Sequence, residues 1–233
     1  MRVDGRSADQ LRPVEFAVGY QEFAEGSVLI SMGKTRVLCS ATVQECVPGW
    51  LRGKAQGWVT AEYAMLPRST KERTTRGPSG RATEIQRLIG RALRASVDLR
   101  ALGERTITVD CDVLQADAGT RTAAITGGYV ALALAVEQLV RQNQVRTKVW
   151  KAPVAAVSVG LVAGELFLDL SYQEDSRAEA DCNVVMNARG HLVDVGATAE
   201  AEAFTREQFE QMIDLASSGI RQLIQMQRQL LGR

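Results

Sequence analysis

Histidine is all but absent from this chain: of its 233 residues only His191 is one. That removes Ser-His-Asp and Cys-His machinery unless His191 is the base, and it removes any histidine-rich metal site. His191 follows Gly190 in a polar turn between two apolar runs, where a surface or packing role is the expectation. The four cysteines, Cys39, Cys46, Cys111 and Cys182, lie 7, 65 and 71 residues apart with no C-x-x-C pair. Zinc knuckles are thereby excluded, and a disulfide framework is not expected in a chain this large. No uncharged apolar run approaches the ~18 residues of a membrane span, so no membrane partner is expected. The opening Met1-Arg2-Val3-Asp4-Gly5-Arg6 carries charge where a secretion signal needs apolar residues, which makes a cytoplasmic protein the expectation. Net charge is nearly missing too, at +1.

The distribution of charge says more than its sum. Residues 68–105 hold ten Lys/Arg against four acids, and residues 169–202 hold eight acids against two arginines. A basic block and an acidic block in one near-neutral chain suggest a groove for a polyanion and a place for a divalent cation; two ordinary solvated faces are the plainer alternative. With 45% apolar and 24% charged residues the composition is that of a globule able to bury a core. If this is an enzyme, carboxylates, guanidiniums, backbone dipoles or a metal must do the chemistry.

The first third reads as strands, with Ser27–Ser31 and Arg36–Val43 joined through Gly33-Lys34-Thr35 and a further strand near Gly57–Thr60. Gly33-Lys34-Thr35 resembles the end of a phosphate-binding P-loop. However, Val28 stands where that loop needs glycine, and two strands flank the motif where a helix start is required. Residues 67–80 form a basic, helix-breaking loop. A helix capped by Thr83 with Gln86 is expected next, ending at Leu102-Gly103, with Arg87, Arg91 and Arg94 sharing one face. Alternation over Thr106–Leu114 predicts a strand with one buried face, and the Ala-, Leu- and Val-rich stretch to Val140 a buried helix. Hairpins over 154–170 and 184–195 follow. A closing helix over 205–231 carries a Thr205/Gln208 capping box and Phe204 and Phe209 at staple positions. Strand clusters followed by helices, occurring twice without a linker, predict an α+β fold of two related halves in one domain over 1–233.

Two groups of residues carry candidate chemistry. Gly119-Thr120-Arg121-Thr122 lies between a strand and a helix start, where unpaired N–H groups attract anions and glycine permits close approach. Taken alone, Gly119-Thr120 is equally an ordinary helix start. Arg81, ahead of its own helix, offers a second guanidinium to clamp a tetrahedral anion. Asp175 and Asp181, six apart, suit the two rims of a tight connection between strands. There they can hold Mg²⁺ through oxygens or relay a proton, though loop acids of no special role share that pattern.

Read in order, Gly26-Ser27-Val28-Leu29, Gln56-Gly57-Trp58-Val59-Thr60-Ala61-Glu62-Tyr63, Met65-Leu66-Pro67-Arg68-Ser69-Thr70 and Glu84-Ile85-Gln86-Arg87-Leu88-Ile89 resemble the ribonuclease PH family. Asp110-Cys111-Asp112-Val113-Leu114-Gln115-Ala116-Asp117, Gly119-Thr120-Arg121-Thr122, Glu174-Asp175 and Asp181-Cys182-Asn183-Val184-Val185-Met186 continue the match, which runs from about Arg2 to Phe204. The resemblance implies a phosphorolytic 3′→5′ exoribonuclease that trims tRNA precursors and releases nucleoside diphosphates. It implies a fold like the second domain of ribosomal protein S5, a hexameric ring, and Mg²⁺ as cofactor. Carried over by motif, Arg81, Gly119, Thr120 and Arg121 bind inorganic phosphate. Asp175 and Asp181 are the catalytic, metal-associated pair, and Arg68, Arg73 and Arg76 line the RNA path. The chain departs from the family at Ala118, where the pattern has glycine, and at Gly196–Glu200 and Ala201–Phe204. Two alternatives share the superfamily: a non-catalytic RNA-binding ring subunit, and an exosome-type subunit that needs a partner chain. Retention of Arg81, Arg121, Asp175 and Asp181 together favours the enzyme over the non-catalytic subunit, while activity of the chain purified alone separates it from the exosome-type catalytic subunit.

Overall fold

The computed structural model describes Arg2 and residues 4–77, 79–200 and 202–233. Pro78 of the basic loop and Ala201 of the last departure lie outside the described residues, as do Met1 and Val3. The first sheet contains β1 (Val14–Val18), β2 (Gly26–Met32), β3 (Thr35–Gln44), β4 (Trp58–Met65) and β5 (Thr106–Gln115), in the order β1-β2-β3-β5-β4. Only β4 and β5 run parallel. Parallel neighbours need a crossover, and α1 (Gly80–Arg94) with α2 (Leu99–Leu102) supplies it. Gly33 sits at the tip of the β2–β3 hairpin at φ +58°, so the P-loop likeness is a strand turn.

The second half begins after α3 (Thr120–Arg141). It has β6 (Val154–Val162), β7 (Glu165–Leu168), the short α4 (Tyr172–Asp175), β8 (Ala180–Asn187), β9 (Leu192–Ala199) and α5 (Arg206–Leu231). Its strands form an antiparallel sheet in the order β7-β6-β8-β9. The β6–β7 turn places Ala163 and Gly164 at φ +52° and +77°, the twist that joins adjacent antiparallel strands. The capping box at Thr205 forms as expected, with Phe204 and Phe209 stacked at 6.3 Å.

One hydrophobic core draws on both sheets and on α1, α3 and α5. Helix α3 lies between the layers, against β2 and β3 on one side and β6 on the other. It approaches the first sheet so closely that a Cβ on Gly127 would stand 2.6 Å from Ile30 and 3.1 Å from the Cys39 sulfur. By length and composition α3 is long and apolar enough to cross a membrane once a charge or two is tolerated, although its uncharged run is limited to residues 122–136. The charges at its ends had masked this, and 78% of its most apolar stretch is buried in the fold.

Three further expectations are corrected. Ser79, not Thr83, caps α1: its side chain accepts from the Ala82 N–H, so the helix starts one turn earlier. The helix ends at Arg94 rather than Leu102, because Val97 breaks away to bridge Trp150 and Asp98 caps a separate turn. The expected row of guanidiniums is dispersed. Arg87 is exposed and Arg91 pairs with Asp194, while Arg94 donates to the Val59 carbonyl at 2.8 Å and lies over the Trp58 ring. All four cysteines are free, and His191 is exposed in the β8–β9 turn.

Candidate active site

Strand β5 delivers the chain to α3 through two consecutive left-handed residues, Ala118 at φ +57° and Gly119 at φ +64°. This reversal leaves the first N–H groups of α3 without carbonyl partners from a preceding turn, and no side chain caps them. The turn is held from below. The buried Thr35 hydroxyl donates to the Ala118 carbonyl at 2.6 Å and accepts from the Asp117 N–H at 2.9 Å. The Arg12 guanidinium donates to the Asp117 carbonyl at 2.5 Å and to both Asp169 oxygens, at 2.7 and 3.0 Å. A Cβ on Gly119 would stand 2.9 Å from that guanidinium, so glycine is demanded by contact as well as by φ. From above, the Tyr63 hydroxyl meets the Thr120 hydroxyl at 2.8 Å. Burial raises the Tyr63 pKa, partly opposed by Thr120 and by the charges of Arg81 and Arg121.

Ala118 carries a strain that glycine would not, since a left-handed alanine costs about 1–2 kcal/mol, and glycine's freer unfolded chain returns part of the gain. Ala118→Gly is therefore expected to stabilise the fold by about 1 kcal/mol, read as a higher urea midpoint at unchanged slope. A lower midpoint would show that the alanine methyl group contributes packing worth more than the strain.

The acid pair is presented differently from expectation. Asp175 ends α4, a single helical turn, and Asp181 lies inside β8, paired across to Gly160 and Thr198. A helix end and a strand, not two rims of a strand connection, bring the carboxylates together. Helix α4 is anchored by a capping box between Ser171 and Glu174, and the buried Glu174 carboxylate takes two bonds from Arg2, at 2.8 and 2.9 Å. The Tyr172 N–H reaches Asp117, tying α4 to the turn before α3. Desolvation and the charge of Asp181 raise the Asp175 pKa, against Arg81, Arg12 and Arg121. Desolvation also raises Asp181, helped by Glu200 and opposed by Arg121 and by a 3.0 Å bond from Asn183.

Arg81 enters from the first turn of α1 and Arg121 from the first turn of α3. Asp175 feels both charges, so the helix starts, the helix end and the strand converge on one place. Arg121 is partly engaged by Glu84 at 3.4 Å. A cavity of about 140 Å³ opens beside it, with Thr122, Asn183, Arg91 and Asp194 in its wall. Arg68, Arg73 and Arg76 are exposed on the segment before α1 and have no ion pair among the described residues. The base of that segment is fixed to the phosphate turn by Ser69, whose carbonyl accepts from the Ala116 N–H. Among the described residues no cluster of three or more His, Cys, Asp or Glu side chains is placed to hold a metal. Two carboxylates close enough that the charge of Asp181 raises the proton affinity of Asp175 nevertheless suit Mg²⁺, which takes one or two protein carboxylates and completes its shell with water and substrate phosphate.

Sequence reasoning gave no role to Tyr63, Thr35, Arg12, Asp169 or Asn183. A signal was present for Asp169, a lone carboxylate between Leu168 and Leu170 in an otherwise apolar run.

Residues 10–136 match the model of the 3′ exoribonuclease family, domain 1, and residues 152–219 match its domain 2. Ribonuclease PH of Crocosphaera subtropica is 54% identical over 235 residues, covering all of this chain and 98% of that protein. Ribonuclease PH of Moorella thermoacetica is 58% identical over 237 residues, covering all of this chain and 95% of that one. Among solved structures, rice Rrp46 superimposes with a TM-score of 0.82 at 18% identity, over 99% of this chain and 100% of its own. An Archaeoglobus fulgidus exosome with RNA bound to the active site gives 0.82 at 21% identity, over 97% and 92%. At those identities the two structures speak for the fold, while the full-length similarity to the two bacterial proteins makes this chain a member of the 3′ exoribonuclease family.

Proposed function

We infer that the chain is a phosphate-dependent 3′→5′ exoribonuclease, which shortens RNA one nucleotide at a time and releases nucleoside diphosphates. The observation that carries this reading is the convergence of Arg81, Arg121 and the Asp175/Asp181 pair beside the open start of α3. An oxygen of inorganic phosphate forms the new bond to the terminal phosphorus, and the bond to the penultimate 3′-oxygen breaks. Attacking phosphate and RNA phosphate repel each other: like charges ~4 Å apart stand about 4 kcal/mol above separation at an effective dielectric of ~20. Arg81, Arg121 and the free N–H groups at Gly119–Thr122 offset that repulsion and hold the attacking anion in line. The departing oxygen needs a proton. Asp181, whose carboxyl is held above its ordinary value, is the proposed donor. Mg²⁺, when bound, would be held by Asp175 and Asp181 and would add positive charge near the scissile bond.

The RNA itself would run along Arg68, Arg73 and Arg76, whose free guanidiniums suit a phosphate backbone. tRNA precursor 3′ ends are the proposed substrates, in the cytoplasm, with rRNA ends as a further class. A homo-hexamer is the proposed assembly. Phe23, 95% exposed, together with the exposed Tyr20 and Trp50, supplies apolar surface for contact between copies.

Arg121→Ala tests the core of this reading. A charge-assisted hydrogen bond contributes about 1.5–3 kcal/mol, so the KM for phosphate is expected to rise about 10- to 100-fold. RNA retention on filters should hardly change. An unaltered phosphate dependence would remove Arg121 from the site.

A further inference from the structure

A second cavity, of about 430 Å³, lies at the far end of the molecule from the acid pair. It is bounded by Tyr129 of α3, by Trp150 and Lys151 just before β6, and by Arg228, Leu231 and Arg233 at the end of α5. The end of α5 is fixed there by Gln227, whose buried amide donates to the carbonyls of Thr126 and of Val154 at the start of β6. Asp181 pairs with Gly160, six residues further along the same strand. At ~3.3 Å per residue the two places are about 20 Å apart.

The chemistry of this cavity is unlike that of an ordinary crevice. The Arg233 guanidinium lies over the Trp150 ring at 3.9 Å from its centre, and the indole packs against the core, so the stacked pair forms one wall of the cavity with the guanidinium outermost. Lys151 and Arg228 add two exposed cations with no ion pair among the described residues, although Lys151 lies in the field of Asp98. Arg233 is countered only at 3.9 Å by Glu137, which also binds Arg141. The almost fully buried Tyr129 places its hydroxyl beside Arg233; burial raises its pKa and keeps it a proton donor at neutral pH. An aromatic–guanidinium stack, two uncommitted cations and a phenol around a space of small-molecule size are what a base joined to a phosphate requires.

We propose that this cavity is a second nucleotide-binding site, in which a nucleobase stacks on the Trp150–Arg233 pair and its phosphate is held by Lys151 and Arg228. The occupant is either a free nucleotide or one residue of an RNA strand. Neither source depends on the exonuclease reading, because none of the five contributing side chains belongs to the acid pair or the phosphate turn.

The test uses the full chain carrying Arg121→Ala, which weakens phosphate binding at the first site, and counts only the binding that Lys151→Ser with Arg228→Ser removes, since the basic segment before α1 still holds RNA. Binding of adenosine monophosphate, inorganic phosphate and a short oligoadenylate is followed by equilibrium dialysis. The nucleotide is expected to bind at least tenfold more tightly than phosphate. Adding Lys151→Ser with Arg228→Ser should weaken it at least tenfold, and Trp150→Leu should remove the advantage over phosphate. Circular dichroism verifies the fold of each variant. Both polar substitutions are on exposed side chains, so they test the site even if the Trp150 variant is damaged. Tighter binding of the oligonucleotide than of the mononucleotide assigns the site to a strand, and equal binding assigns it to free nucleotides; both outcomes support it. Nucleotide binding no tighter than phosphate, or indifferent to Lys151→Ser with Arg228→Ser, overturns it.

Discussion

Asp181→Asn is expected to cut single-turnover release of nucleoside diphosphates by about 10²- to 10⁴-fold, the range associated with loss of a general acid or base, while leaving the fold at least as stable. The substitution keeps size and shape, so β8 and its pairing to Gly160 and Thr198 are undisturbed. The stability half of the expectation follows from the direction in which the carboxyl is shifted. Desolvation, with Glu200 adding to it, raises the folded-state pKa of Asp181 above 3.8. A carboxyl raised on folding favours the folded state only while protonated, and that contribution is lost as pH climbs through the raised value. As pH rises through that raised value the carboxyl comes to oppose folding, and the neutral amide relieves it. Melting at pH 7 should place the variant level with or above the parent, and the difference should shrink as pH falls toward 3.8. Near-normal turnover would remove Asp181 from the chemistry. A clear loss of stability would mean that Arg121 outweighs desolvation and that the carboxylate is structural.

The same logic separates what the sequence revealed from what it concealed. Hairpins and helices were readable because their signals are local: the Ala163-Gly164 turn and the Thr205/Gln208 box lie within a few residues of what they control. Strand β1 was not, because it is an edge strand whose residues are only partly covered and show no clean alternation. The charge blocks were visible, but their meaning depended on partners distant in sequence. Of the acids between 169 and 202, Asp169 is consumed by Arg12, Glu174 by Arg2 and Asp194 by Arg91. Of the basic block, Arg94 is spent on the Val59 carbonyl and Arg105 on Glu45. Arg68, Arg73, Arg76 and Arg81 have no ion pair among the described residues, nor do Asp175 and Asp181. Pairing thus subtracts several structural charges without isolating the candidate site, since Lys71, Arg87, Arg100, Glu179, Glu200 and Glu202 also have no ion pair among the described residues and Arg121 is itself paired with Glu84. No spacing rule performs that subtraction, since the cancelling partners are 35 to 172 residues apart.

Arg12 shows how far the site rests on that hidden pairing, and its removal should be the most damaging single change to stability. Its guanidinium is 3% exposed and the Asp169 side chain is not exposed at all. Burial alone would lower the Arg12 pKa; Asp169 overrides it and holds the guanidinium above its ordinary value, so Arg12 stays charged. Arg12→Ala leaves a carboxylate in the interior without its partner, a change that typically destabilises by 3–5 kcal/mol, a large share of the ~5–15 kcal/mol that holds a domain together. Urea unfolding should register that loss directly. A second consequence distinguishes a positioning role from a structural one. Replacing both partners, as Arg12→Met with Asp169→Asn, removes the buried charge, keeps a side chain that tolerates φ +53° and still accepts the backbone N–H of residue 12, and is expected to recover most of the stability. It does not restore the bond from Arg12 to the Asp117 carbonyl, which holds the turn carrying Ala118 and Gly119. The double variant should therefore melt close to the parent yet keep a raised KM for phosphate, with RNA binding intact. If stability and phosphate KM recover together, Arg12 serves the core alone and Thr35 suffices to shape the turn.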